Sequence, residues 1–321
     1  MYLTGPTTSG VRALFFGISQ SVFQQNGYTG LILLGGVFLS SPRAGLAALL
    51  GLFTSTGLAW AMGAERGLVL IGVYGFNGFF SGLAVASFLE PIPGLWLVVA
   101  IGGALAAVLT TALRRLLGRW QLPVLSAPFV CVMWLILLLA IQFDGLAHAA
   151  DPLPGLAQRW LAASARPWWE LLTNEQGIAS VLLNGTLRGV SQIFCQDDPL
   201  VGLIFLIGLL ASSARAATLA AAGALTGTLV ALLIGAQDWA IFHGLYGFNS
   251  VLSALAVLTL SAKPGWRTPI AALLCAAVAA IATGVMIPLL RPAGLLVLSA
   301  PFCLASWTFL LALQERHPVL Q

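Results

Sequence analysis

The chain has 321 residues, of which 59% are hydrophobic and only 7% charged. A soluble domain carries roughly a quarter charged residues, so this composition excludes a water-exposed surface and points to helices that cross a bilayer. The net charge of +4 comes from fourteen basic residues scattered along the chain, which serve topology and argue against nucleic acid as a partner.

The segment from Met1 to Val11 lacks the charged start and short apolar core of a cleavable signal, so the first apolar stretch is read as mature sequence. Apolar stretches then fall at 13–39, 42–63, 67–89, 93–113 and 122–143, and again at 178–211, 214–235, 239–260, 269–289 and 294–313. They predict an all-α integral membrane protein with about ten transmembrane helices, the longest stretches being able to hide a kinked or re-entrant piece. With the first terminus in the cytoplasm, Arg12, Arg66, Arg114, Arg115, Arg119, Arg215, Lys263, Arg267 and Arg316 lie inside. Arg43, Arg159, Arg166, Arg188 and Arg291 lie outside, so the positive-inside rule places both termini in the cytoplasm.

Three blocks of sequence occur twice. GISQSVFQQNGYTG at 17–30 returns as GVSQIFCQDDPLVG at 189–202, and GVYGFNGFFSGLAV at 72–85 returns as GLYGFNSVLSALAV at 244–257. LPVLSAPFVCVMW at 122–134 returns as LLVLSAPFCLASW at 295–307, and the offset stays at 172 or 173 throughout. The chain therefore divides into a first repeat, 1–143, and a second, 178–321. An odd number of spans per repeat forces the second copy to enter from the opposite face, so the repeats are expected to be inverted. The intervening 144–177, with Pro152, Pro154, Trp160, Trp168, Trp169 and Glu170, reads as an interfacial helix in the headgroup region.

Polar residues duplicated within apolar helices mark where a solute or a neighbouring helix must satisfy them. Gln20 and Gln192 each offer an amide donor and a carbonyl acceptor, which suits a small neutral polar solute. Ser126 and Ser299 sit in LSAPF, where Pro128 and Pro301 interrupt the helix and free carbonyls upstream. Hydroxyls and freed carbonyls together would form a ladder of acceptors. Asn77 and Asn249, in the YGFN blocks, are expected first as structural support where a half-spanning helix turns back. Phe23 shares a helical face with Gln20 and could form one wall of a slot for a planar molecule. Its counterpart in the second copy is Cys195, with Phe194 beside it, so the second slot is expected to be asymmetric or shifted.

These motifs, each present twice, resemble those of the urea transporter family over nearly the whole chain. The resemblance implies two inverted halves of five helices, each with an added re-entrant half-helix, a homotrimer with one pore per protomer, and a bacterial inner-membrane location. It also implies passive, channel-like passage of urea or closely related small amides between aromatic slots and along an oxygen ladder. Carried over by position, Gln20 and Gln192 contact the solute, Phe23 lines a slot, and Ser126 and Ser299 stand where the family usually has threonine. Phe80 and Leu252 fall where an apolar side chain, commonly leucine, narrows the pore. Serine for threonine and Phe80 for leucine are departures from that pattern.

Other classes fit less well. His148, His243 and His317 are not duplicated at the repeat offset, as an ammonium channel's paired histidines would be, and two NPA boxes are lacking. Asp197 and Asp198 are the only adjacent acids near a repeated block and are the candidates for an ion-coupled transporter of a related amide. No HExxH, nucleophile elbow or glycine-rich phosphate loop occurs, so no enzyme and no cofactor are expected. Cys131, Cys195, Cys275 and Cys303 lack metal-site spacing and read as packing residues, with lipid the remaining partner.

Overall fold

The computed structural model describes residues 6–142, 177–261 and 265–314; the interfacial helix expected over 144–177 lies outside them apart from Gly177. The first half comprises α1 (Pro6–Gln20), α2 (Gly27–Ser40), α3 (Pro42–Ala61), α4 (Arg66–Leu70), α5 (Gly75–Phe88), α6 (Leu95–Leu117) and α7 (Ala127–Gln142). The second comprises α8 (Gly177–Ser191), α9 (Pro199–Leu210), α10 (Ala214–Leu233), α11 (Asp238–Phe242), α12 (Gly247–Leu260), α13 (Thr268–Leu290) and α14 (Ala300–Leu313). No β-strand occurs among the described residues, and the elements of the two halves follow in the same order. The chain is an all-α membrane protein.

All ten apolar stretches fall on helices, but among the described residues only α3, α6, α10 and α13 are long and apolar enough to cross a bilayer unbroken. A fifth crossing is made if α8 and α9, bent by 72° at their junction, count as one. The remaining stretches are interrupted or shortened by local signals. Asn26 caps α2 by accepting from the N–H groups of Tyr28 and Thr29 at 2.9 and 3.3 Å, and Asp198 caps α9 ahead of Pro199. Ser41 and Ser213 cap α3 and α10 in the same way, through Ala44 and Ala216. Just before two of these caps the chain turns through left-handed residues, Phe23 (φ 61°) and Cys195 (φ 53°), which end the preceding helix.

Close helix packing holds each half together. α3 lies against α5 and α6, and α10 against α12 and α13. Gly51 and Gly78 let α3 and α5 touch: a Cβ on Gly51 would stand 2.2 Å from the Gly78 carbonyl oxygen. Such close approach of backbones supplies the van der Waals contact that drives helix association in lipid. The outward faces are apolar, with Leu97, Ile101 and Val108 on α6 and Leu274, Val278 and Ile281 on α13 exposed, while Val99, Gly102 and Ala106 of α6 are buried. An apolar exterior of this kind is what lipid requires.

Contacts between the halves are reciprocal. The Trp134 indole donates to the Leu296 carbonyl at 2.8 Å, and the equivalent Trp307 donates to the carbonyl of Pro123, the equivalent of Leu296, also at 2.8 Å. Gly36 of α2 faces Phe205 of α9, and the equivalent Gly208 faces Ile32 and Leu33. Reciprocity of this type is what a two-fold relation between like surfaces produces. The core therefore runs through both halves, with Phe79, Phe194, Phe205 and Phe302 fully buried within it.

Candidate functional site

The two LSAPF segments form matching turns at the ends of α7 and α14. Leu125 and Leu298 are both left-handed, at φ 51° and 49°, a conformation that costs a non-glycine residue about 1 kcal/mol or more. Each is held by a fully buried asparagine from the opposite end of the motif set. Asn77 donates to the Leu125 carbonyl at 3.2 Å and accepts from the Phe129 N–H at 3.2 Å. Asn249 donates to Leu298 at 3.1 Å and to Thr283 at 3.2 Å, and accepts from Phe302 at 3.3 Å. One side chain thus satisfies a carbonyl freed by the turn and an N–H that the helix start at Ala127 or Ala300 leaves without an intrahelical acceptor.

These clamps bring the two serines together. Ser126 and Ser299 are hydrogen-bonded hydroxyl to hydroxyl at 2.6 Å, and the Cys303 sulfur lies 3.5 Å from Ser126. Two cavities flank this pair, one on each serine. The first, of about 120 Å³, is lined by Gln20, Phe23, Phe76, Phe80, Ser126, Leu252 and Phe302, with Arg114 and Pro123. The second, of about 190 Å³, is lined by Gln192, Cys195, Phe80, Phe129, Phe248, Leu252 and Ser299, with Thr283 and Arg291. Phe80 and Leu252 are walls of both, so the two spaces approach each other at these side chains.

The glutamines differ in their bonding. Gln192 donates to the His243 backbone carbonyl at 3.2 Å, which fixes its amide and leaves its oxygen available. The Gln20 oxygen is buried with no partner among the described residues, an acceptor that water or a solute would otherwise satisfy. Asn77 and Asn249 line neither cavity and act through the turns they clamp, with Pro128 and Pro301 beside them.

Phe194 lines neither cavity. Its ring is fully buried, 4.6 Å from Phe205 and 6.0 Å from Phe79, and it backs Phe80 at 5.7 Å. The left-handed residue after a short 3₁₀ turn points the side chain of 195, not 194, toward the second cavity, as residue 23 points toward the first. Missed in the sequence were Phe302 and its equivalent Phe129, Phe76 and its equivalent Phe248, and Arg114 and Arg291. The four phenylalanines all stand in the duplicated YGFN and LSAPF blocks, so the duplication itself was the available signal. Phe23 meets Phe302 edge-to-face with centroids 6.1 Å apart, a pairing between the halves.

Beside the second cavity lies a charged cluster without counterpart in the first half. Arg188 contacts Asp197 at 2.7 Å, and His243 shares the same carboxylate through Nδ1. The Asp197 carboxylate is thus held from two sides by side chains of α8 and the segment after α11. Asp198 is occupied as the cap of α9. Neither acid lines a cavity.

The site thus consists of two largely apolar cavities, each with one glutamine and one serine of the hydrogen-bonded hydroxyl pair on its wall. A urea transporter family model matches residues 11–314. The chain belongs to the urea transporter family. It is 30% identical over 306 residues to urea transporter 1 of Rattus norvegicus, covering 94% of this chain and 76% of that protein. It is 31% identical over 308 residues to urea transporter 1 of Mus musculus, and 30% over 305 to that of Ovis aries, with the same coverage. As a urea transporter family member it is a transporter rather than an enzyme, and the site is to be read for passage, not bond cleavage.

Proposed function

We propose that this protein conducts urea, or closely related small amides, passively through a pore within each protomer. What carries the reading is the pair of cavities that share Phe80 and Leu252 as walls on either side of the Ser126–Ser299 hydroxyl pair. Urea is neutral and planar, with amino groups that need acceptors and faces that can lie against aromatic rings. Shedding its water is costly unless such groups replace the lost hydrogen bonds. Gln20 and Gln192 would meet the solute at either end, Phe23 would line the first slot and Cys195 the second. Ser126 and Ser299 would exchange their mutual hydrogen bond for bonds to urea, opposite the apolar Phe80 and Leu252. Arg114 and Arg291, one on each cavity, would disfavour cations and leave a neutral solute unaffected.

The halves, 1–143 and 178–321, would be inverted about an axis in the membrane plane. The reciprocal tryptophan and glycine contacts favour this, and so does the placement of Arg114 and Arg291, which the charge rule assigns to opposite faces. With it go a homotrimer embedded in lipid, cytoplasmic termini and a bacterial inner membrane.

Stopped-flow urea uptake into proteoliposomes without an ion gradient tests the proposal. The native chain should equilibrate urea rapidly. Gln192→Ala and Ser299→Val should slow it by about ten-fold or more, since each removes a hydrogen bond at a desolvated point of the path. Absence of urea flux from well-folded protein, or a requirement for an ion gradient, would overturn it.

A further inference from the structure

The two cavities are built from equivalent positions yet differ in size, about 190 Å³ against about 120 Å³. Phe302 and Phe76 of the first correspond to Phe129 and Phe248 of the second, so those rings are matched. At the remaining slot position Phe23 corresponds to Cys195, and the backbone is the same at both, with φ 61° and 53°. The difference there is therefore the side chain: a ring is replaced by a thiol. Phe194 does not restore the lost ring, because it is packed against Phe79 and Phe205 in the core. The wall of the second cavity is mostly apolar, with Gln192, Thr283, Arg291 and Ser299 its polar members. Phe88, Ile287, Leu295 and Leu296 line the second cavity, and Ile287 occupies the repeat position that Arg114 holds in the first.

A polar end and an apolar annex in one cavity describe an amphipathic ligand. Gln192 and Ser299 can hold a urea head, with the Gln192 amide already oriented by the His243 carbonyl at 3.2 Å. An alkyl group on one nitrogen would then fill the room beside Cys195 and exchange water for apolar contact. Its onward path is barred, because the first cavity keeps the Phe23 ring against Phe302 at 6.1 Å. We propose that the second cavity binds mono-N-alkyl ureas, that Cys195 sets the size it accepts, and that these compounds block the pore rather than cross it. The blocking step rests on the urea-conduction reading above; the binding step does not.

N-Butylurea is the probe, with Cys195→Phe to fill the annex and Cys195→Ala to keep it. In proteoliposomes, the concentration of N-butylurea that halves urea efflux should be about ten-fold higher for Cys195→Phe than for the native chain, the discrimination expected when a few methylenes lose their pocket. For Cys195→Ala it should remain within about three-fold of native. Binding is read separately from thermal melting in detergent, where N-butylurea should raise the Tm of the native chain and of Cys195→Ala above that in equimolar urea, but not that of Cys195→Phe. Phe23 shows that a phenylalanine adopts this left-handed backbone; if Cys195→Phe does not fold, Cys195→Leu makes the same comparison, since Leu125 and Leu298 hold similar φ values. Equal block and equal Tm shift in the filled variant would overturn the proposal. A Tm shift lost in the filled variant, in a protein that moves no urea, would retain the site and remove the transport reading. Urea flux with no N-butylurea effect would do the reverse.

Discussion

Replacing Asn249 by alanine removes the clamp on the second LSAPF turn without touching a cavity wall. The side chain is fully buried and makes three hydrogen bonds, to Leu298, Thr283 and Phe302, at 3.1 to 3.3 Å. Thr283 keeps a partner, because its hydroxyl also donates to the Ala279 carbonyl at 2.8 Å. Two backbone groups are then left unpaired, the Leu298 carbonyl and the Phe302 N–H. Each buried orphan costs about 1–3 kcal/mol. The bonds are long, and side-chain hydrogen bonds in membrane proteins average about 0.6 kcal/mol, so the expected loss is near the low end, about 2–3 kcal/mol. Reversible unfolding in mixed micelles with increasing SDS measures it. Asn184→Ala is the comparison, since among the described residues Asn184 bonds only within its own helix, to Ser180, and should lose less than about 0.5 kcal/mol. Urea flux through Asn249→Ala should fall as well, because Ser299 directly follows the turn. A loss no larger than that of Asn184→Ala would refute the reasoning that the asparagine holds the turn.

Two further outcomes are expected. Gly244→Ala should sharply reduce the yield of folded protein, because the added Cβ would lie 2.2 Å from the Gly189 nitrogen at φ 70°, a combined strain of about 2 kcal/mol or more; monodispersity on size-exclusion chromatography reports it. Asp197→Asn keeps the shape of the side chain but removes the charge that pairs with Arg188 at 2.7 Å. It should therefore lower the Tm, and an unchanged Tm would show that the Arg188 and His243 contacts do not stabilise the fold.

Much of this protein could be read from the chain alone because a bilayer imposes simple rules. Apolar length located the helix-bearing stretches among the described residues, and the duplicated blocks pointed to Gln20, Gln192, Ser126, Ser299, Asn77 and Asn249 but not to the rings of Phe76, Phe129, Phe248 and Phe302 or to Arg114 and Arg291. Where helices break was only half legible. The caps Asn26, Ser41, Asp198 and Ser213 are local and visible, whereas the left-handed turns at Phe23, Cys195, Leu125 and Leu298 carry side chains that ordinarily avoid that conformation. Such residues are held there by contacts distant in sequence, as Asn249 holds Leu298 across 49 positions. For the same reason the partners across the halves were decided by tertiary structure: Ser126 with Ser299, Trp134 with Leu296, Phe23 with Phe302. The direction of the ring at Phe194 belongs to this class too. Sequence determined which side chains had to be sheltered from lipid, through their polarity; only the packing of two repeats against each other decided which of them face a common space, because that depends on distances no local pattern encodes.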